Sequence, residues 1–94
     1  MKNDIEIWYF YAKWCGPCHY WDENLMMNLN GSYQKLVKRI DVDEMPLVAD
    51  RMGVTTLPTL VIICDGKIKA YLDHDFPSAK SLGFMLDAFS PDLA

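Results

Sequence analysis

The sequence predicts an α/β fold, a four-stranded mixed sheet flanked by helices in the order β-α-β-α-β-β-α. Three observations point there. Ile5–Tyr11 and Thr59–Cys64 are apolar runs rich in β-branched and aromatic residues, the composition of strands. The stretches that follow Cys18 and Ser78 repeat apolar residues at helical spacing. Asp65-Gly66 stands between two apolar runs, the signature of a tight antiparallel hairpin.

Taken in order, Ile5–Tyr11 forms the first strand and ends at Trp14-Cys15-Gly16-Pro17. Proline has no N–H to lose and a φ suited to a first helical turn, so a helix starts at Pro17. Trp21, Leu25 and Leu29 give that helix one apolar face, and Asn30-Gly31 reads as its stop. Leu36–Val42 is a second strand, with Leu36, Ile40 and Val42 at even spacing. Asp43 then reads as an N-cap, Pro46 fits the first turn, and Leu47, Val48 and Met52 form the buried side of a short helix that Gly53 ends. Thr59–Cys64 and Ile68–Leu72 are the arms of the hairpin. Ser78 caps the last helix, whose buried face is Leu82, Met85, Leu86 and Phe89, and Pro91 stops it. Strand–helix–strand alternation in the first half implies a parallel unit, to which the hairpin adds antiparallel strands.

The 94 residues fit a single domain, 1–94, and 51% of them are apolar, enough for a packed core. Nine Lys and Arg are dispersed in a chain of net charge −4, so nucleic-acid binding has little support. Apolar runs such as Leu57–Cys64 are too short to span a bilayer, and no basic start leads into an apolar run. A cytoplasmic monomer is the expectation. Three cysteines are an odd number, which argues against a secreted disulfide scaffold. A C-x-x-C pair in a reducing compartment is catalytic or metal-binding.

Cys15 and Cys18 open a helix directly after a strand. Their spacing brings the sulfurs within bonding distance, and the first sulfur meets the unsatisfied N–H groups and positive dipole end of the helix, which favour a thiolate. Cys15 is therefore the expected exposed nucleophile, and Cys18, a turn further in, the shielded resolving thiol. A zinc site would need a second cysteine pair, and Cys64, His19 and His74 do not supply one, so no metal is expected. Cys15–His19 also matches the C-x-x-C-H haem-attachment run, but the proline within it and its strand–helix setting fit redox chemistry better.

Trp14-Cys15-Gly16-Pro17-Cys18, then Ile40-Asp41-Val42-Asp43, then Leu57-Pro58-Thr59-Leu60 with Asp65-Gly66-Lys67, together resemble the thioredoxin family over most of the chain. Few residues precede the first strand, so the resemblance is to a minimal thioredoxin-like fold without the family's usual N-terminal strand and helix. It implies a protein-disulfide reductase with no cofactor beyond the Cys15–Cys18 pair, fed by a thioredoxin-reductase-like flavoenzyme and acting on disulfide-containing protein substrates. It implies that Pro58 follows a cis bond beside the dithiol, and that Thr56 and Leu57 offer backbone to a substrate peptide. Trp14, Gly16 and Pro17 form the opposite rim. A glutaredoxin-like, glutathione-coupled enzyme is the alternative within the fold, but its usual run carries Pro-Tyr between the cysteines. A non-catalytic binding subunit of a larger complex is the alternative outside enzymology.

Four positions depart from the family pattern. Tyr9 stands where the family buries an aspartate that helps proton transfer at the second cysteine. A phenol is a poor base near neutral pH, so Tyr9 either packs in the core or positions a relay water, and resolution by Cys18 is expected to be less well catalysed. Glu23 replaces a kinking proline, which predicts a straighter helix. Thr56 replaces a glycine beside the substrate groove. The turn Asp73-His74-Asp75 replaces a small loop near the rim and puts His74 among the candidate substrate contacts. Cys64 reads as an inert buried thiol, His19 as a helix-surface residue or an electrostatic neighbour of the thiols, and Trp8 and Trp21 as structural.

Overall fold

Strand β1 (Ile5–Tyr11) lies inside a four-stranded sheet. It pairs in parallel with β2 (Val37–Asp41) on one side and antiparallel with β3 (Thr59–Cys64) on the other. Strand β4 (Lys67–Leu72) pairs antiparallel with β3, giving the order β2-β1-β3-β4. The computed structural model describes residues 4–73 and 77–89. The expected stop at Pro91 and the expected rim residue His74 lie outside them.

Successive strand residues point to opposite faces, and both faces are covered. On one face Ile5, Ile7 and Tyr9 of β1 and Leu60, Ile62 and Cys64 of β3 pack with Trp21 and Leu25 from α1 (Gly16–Asn24) and the segment after it. Leu82 and Leu86 of α4 (Ala79–Phe89) complete that layer. On the other face Phe10, Val61, Ile63 and Ile40 pack with Ala49 of α3 (Pro46–Arg51). Burial on both sides explains why β3 is an unbroken apolar run rather than an alternating one. Asp65 at φ 53° and Gly66 at φ 79° supply the two left-handed residues that a two-residue hairpin turn demands. The Ser78 hydroxyl accepts the Ser81 N–H at 3.0 Å, so the last helix is capped as expected.

The helix that follows the dithiol differs from expectation. It ends at Asn24, gives way to a tighter turn over Met26–Asn28, and is followed by a separate short helix α2 (Gly31–Gln34). Asn30-Gly31 is a start, not a stop: the Asn30 side chain accepts the Ser32 N–H at 2.8 Å as the cap of α2. The long straight helix expected from Glu23 is thus broken. Asn24 and Asn28 side chains donate to the carbonyls of Tyr20 and Asn24, four residues back, at 3.0 and 3.3 Å, competing for helical acceptors. Gln34 Nε2 donates to the carbonyls of Met27 and Leu29 and holds the interrupted stretch. Trp21, Leu25 and Leu29 are nonetheless all buried, so the apolar period holds where helical continuity does not.

The turn into α3 also differs. Met45, not Asp43, occupies the cap position, with no side-chain cap bond. Asp41 organises the turn instead: its buried carboxylate accepts the Asp43 N–H at 2.9 Å, and its carbonyl accepts from Glu44 and Met45. Leu47 is exposed, Val48 and Met52 are half-buried, and Ala49 is the buried residue of this helix. Gly53, at φ 72°, ends it as expected.

Leu25 anchors the end of α1 in the core, so Leu25→Ala is expected to lower unfolding stability by about 2–5 kcal/mol. Urea denaturation checks this: the midpoint falls while the slope stays that of the parent.

Candidate active site

Strand β1 ends at Tyr11, and Ala12 is buried before the chain turns outward. The Cys15 N–H donates to the Ala12 carbonyl at 3.2 Å, closing the turn that leads into α1. Cys15 is the N-cap of that helix, and its sulfur accepts the Cys18 N–H at 3.1 Å. The sulfur thus takes the place that a serine or aspartate oxygen holds in an ordinary cap. Pro17 sits in the first turn, where its missing N–H costs nothing. Cys15 and Cys18 are joined as a disulfide, with α-carbons 5.3 Å apart.

Neither cysteine is exposed: Cys15 is 5% accessible and Cys18 3%. The expected exposed first thiol is corrected here, because Ala12, Tyr11, Val42 and Leu57 pack around the pair. What distinguishes the two sulfur-bearing residues is the space each borders. Cys15 lines an open groove of about 500 Å³. Its near side is Trp14, Cys15, Gly16 and Pro17, and its far side is Val42, Pro46, Ala49, Val54, Thr55 and Leu57, with Asp50 at the edge. Cys18 lines a separate inner cavity of about 120 Å³ with Tyr9, Tyr11, Ala12, Lys13, His19, Asp22 and Arg39.

Trp14 is 71% exposed, yet its indole N–H donates to Asp43 Oδ2 at 2.8 Å, so the ring is held across the groove's rim. The Leu57–Pro58 bond is cis, Pro58 is buried, and Leu57 lines the groove. Thr56 does not line it. Thr56 is exposed, and its carbonyl accepts the Thr59 hydroxyl at 2.7 Å. His19 is exposed and its Nε2–H donates to the Lys13 carbonyl at 3.0 Å, on the inner-cavity side. Cys64 is a free, buried thiol at the far end of β3.

Tyr9 is 1% exposed, and its hydroxyl donates to the Cys18 carbonyl at 2.8 Å. Burial first, then the nearby Asp22 carboxylate, pushes its pKa up to about 12, with Arg39 opposing. The phenol is neutral near pH 7, and its proton is committed to a backbone carbonyl. Tyr9 is therefore a strut between β1 and the first turn of α1, not a base.

Sequence reasoning missed the wall formed by Val42, Pro46, Val54 and Thr55, the Asp43 tether, and the Asp22–Arg39 pair whose atoms Oδ1 and Nη2 lie 2.5 Å apart. One signal was available: Asp22 follows Cys18 by four residues, the spacing that stacks side chains on one helix face. The others come from segments distant in sequence. Among the described residues, no group of three or more His, Cys, Asp or Glu is arranged to hold a metal.

The model of the thioredoxin family matches residues 1–82. The chain is 33% identical over 82 residues to the mitochondrial thioredoxin-3 of Saccharomyces cerevisiae, covering 87% of this chain and 65% of that protein. It is 35% identical over 79 residues to a thioredoxin of Rhodospirillum rubrum, covering 83% of this chain and 73% of that protein. It spans 48% of the length of thioredoxin 2 of Plasmodium berghei. Among solved structures, a malaria-parasite thioredoxin-2, described as a component of that parasite's protein secretion machinery, superposes with a TM-score of 0.78 at 30% identity. That match covers 94% of this chain and 85% of the other. The thioredoxin of Fasciola hepatica superposes with a TM-score of 0.76 at 25% identity, covering 95% and 84%.

Replacing Tyr9 with phenylalanine removes the bond to Cys18 and is expected to cost about 1 kcal/mol at neutral pH. The raised phenol pKa favours the neutral form in the fold, so its contribution is complete below pH 10 and is lost as pH rises toward 12. Denaturation midpoints of the parent should therefore fall through that window. Tyr9→Phe should flatten part of the fall, and Tyr33, also raised to about 12 by burial and Asp87, should account for more.

Proposed function

Because the chain belongs to the thioredoxin family, we propose that it reduces protein disulfides, with Cys15 as the attacking thiol and Cys18 as the resolving one. The observation that carries the assignment is the division of access. Of the two cysteines, Cys15 borders the broad groove of about 500 Å³, and Cys18 borders only the smaller, polar-lined cavity of about 120 Å³. The N-cap position adds a reason for Cys15 to ionise, since the Cys18 N–H and the positive helix end both stabilise a thiolate sulfur.

The chemistry balances within the pair. Cys15 thiolate attacks a substrate disulfide and releases one substrate sulfur. Cys18 then attacks Cys15, releases the other and leaves the Cys15–Cys18 disulfide. Two electrons pass to the substrate and no further cofactor takes part. A substrate strand lies in the groove between Trp14, Gly16 and Pro17 on one side and Leu57 beside cis-Pro58 on the other, with main-chain groups at Leu57, and at Thr56 just outside the groove's lining, pairing to it. His74, in the sequence Asp73-His74-Asp75, is a candidate further contact. Electrons return from a thioredoxin-reductase-like flavoenzyme, and the substrates are disulfide-containing proteins. The protein acts as a monomer in the reducing cytoplasm. Among the described residues no helix is long and apolar enough to cross a membrane.

Insulin reduction driven by dithiothreitol tests the assignment. The parent should precipitate insulin B chain faster than dithiothreitol alone, and Cys15→Ser should lose that acceleration entirely. Cys18→Ser should instead accumulate a mixed disulfide at Cys15, seen as a mass adduct. Full turnover by Cys15→Ser would refute the assignment.

A further inference from the structure

Cys18 is on the wall of the inner cavity, whose lining is distinct from that of the groove. The groups facing it come from each packed element: Tyr9 and Tyr11 from β1, His19 and Asp22 from α1, Arg39 from β2, and Lys13 from the loop before the helix. Tyr9 keeps its proton, donates its hydroxyl hydrogen bond to the Cys18 carbonyl and is not a base. Lys13 and Arg39 are cationic. His19 Nε2 is engaged by the Lys13 carbonyl at 3.0 Å. Asp22 remains. Its Oδ1 is shielded from solvent and makes no aligned hydrogen bond, although Arg39 Nη2 lies 2.5 Å away in an ion pair. Arg39 is itself steadied over the Tyr9 ring, 5.4 Å from its centre. The cavity has room for water between polar groups. The Asp22 side chain is 38% accessible overall, which gives a proton a way out to solvent.

We propose that Asp22, oriented by Arg39, accepts the proton of Cys18 through the inner cavity when Cys18 resolves the mixed disulfide. This rests on the dithiol reading above. In the step, the Cys18 S–H proton passes through water to the Asp22 carboxylate. The sulfur's electron pair forms the bond to Cys15 Sγ, and the bond from Cys15 to the substrate sulfur breaks. That sulfur leaves as a thiolate and is protonated by solvent, as Asp22 returns its proton to solvent. The role that the family's aspartate fills from the strand position now held by Tyr9 is moved to the helix, one turn beyond Cys18.

Stopped-flow reaction of the reduced protein with Ellman's reagent separates the two steps, because each releases one coloured thiolate. The first phase is attack by Cys15 and the second is resolution by Cys18. With Asp22 as acceptor, the second-phase rate is level between the carboxylate and thiol pH ranges. Asp22→Asn should turn that plateau into a decline of about tenfold per pH unit and slow the phase at least about tenfold near pH 6. The first phase should be unchanged, and Asp22→Glu should restore the plateau. An unaltered second phase in Asp22→Asn overturns the proposal, as does loss of the plateau in His19→Gln instead. Should Asp22→Asn not fold, the parent's own profile decides: a plateau supports the proposal and a slope without one overturns it. A first phase that survives Cys15→Ser would refute the dithiol reading itself, a separate outcome.

Discussion

The bond from the Tyr9 hydroxyl to the Cys18 carbonyl ties the central strand to the first turn of the redox helix, and the rest of the site depends on that tie. It connects β1, paired on both edges, to a helix whose cap is itself a reactive sulfur. The tie joins the strand to the turn that places Cys15 beside the groove and Cys18 beside the inner cavity. A side chain that has lost any use as a base has become the means of fixing where the two thiols face.

Packing, not exposure, then separates the cysteines. Both are almost completely buried, and a simple picture of one outer and one inner thiol does not describe them. The two spaces differ in kind. The groove is broad, walled by apolar side chains and rimmed by a tryptophan tethered to Asp43. The inner cavity is small and lined by two tyrosines, a histidine, a lysine and an ion pair. The first has the breadth of a peptide-binding groove and the second the polar lining of a water site. With a tyrosine at strand position 9, a carboxylate of the helix, Asp22, is the acid among the residues lining the inner cavity.

Much of this was legible in the sequence, for physical reasons that can be named. Strand β3 read correctly because burial on both faces leaves an unbroken β-branched run, and the hairpin because only Asp-Gly type pairs suit two left-handed residues in succession. The dithiol read correctly because proline at a helix start has a clear local cost structure. The break after Asn24 did not, because the apolar spacing of Trp21, Leu25 and Leu29 continues through it while the asparagines that compete locally for helical acceptors lie on the exposed side. Asn30-Gly31 was misread as a stop because glycine favours helix ends; asparagine favours starts, and the cap bond to Ser32 makes it one. The far wall of the groove and the Asp43 tether join segments some thirty residues apart, which no local pattern encodes. The Asp22–Arg39 pair spans a helix and an edge strand, so its partner was not legible, although the four-residue spacing of Asp22 from Cys18 marked one member.

The central claim is that the fold gives an incoming molecule access to Cys15 alone. Brief alkylation of the reduced, folded protein with iodoacetamide, followed by peptide mass mapping, measures this directly. The structure predicts one adduct, at Cys15, with Cys18 and Cys64 unmodified until the protein is unfolded. Labelling of Cys18 as fast as Cys15 in the folded protein would contradict it.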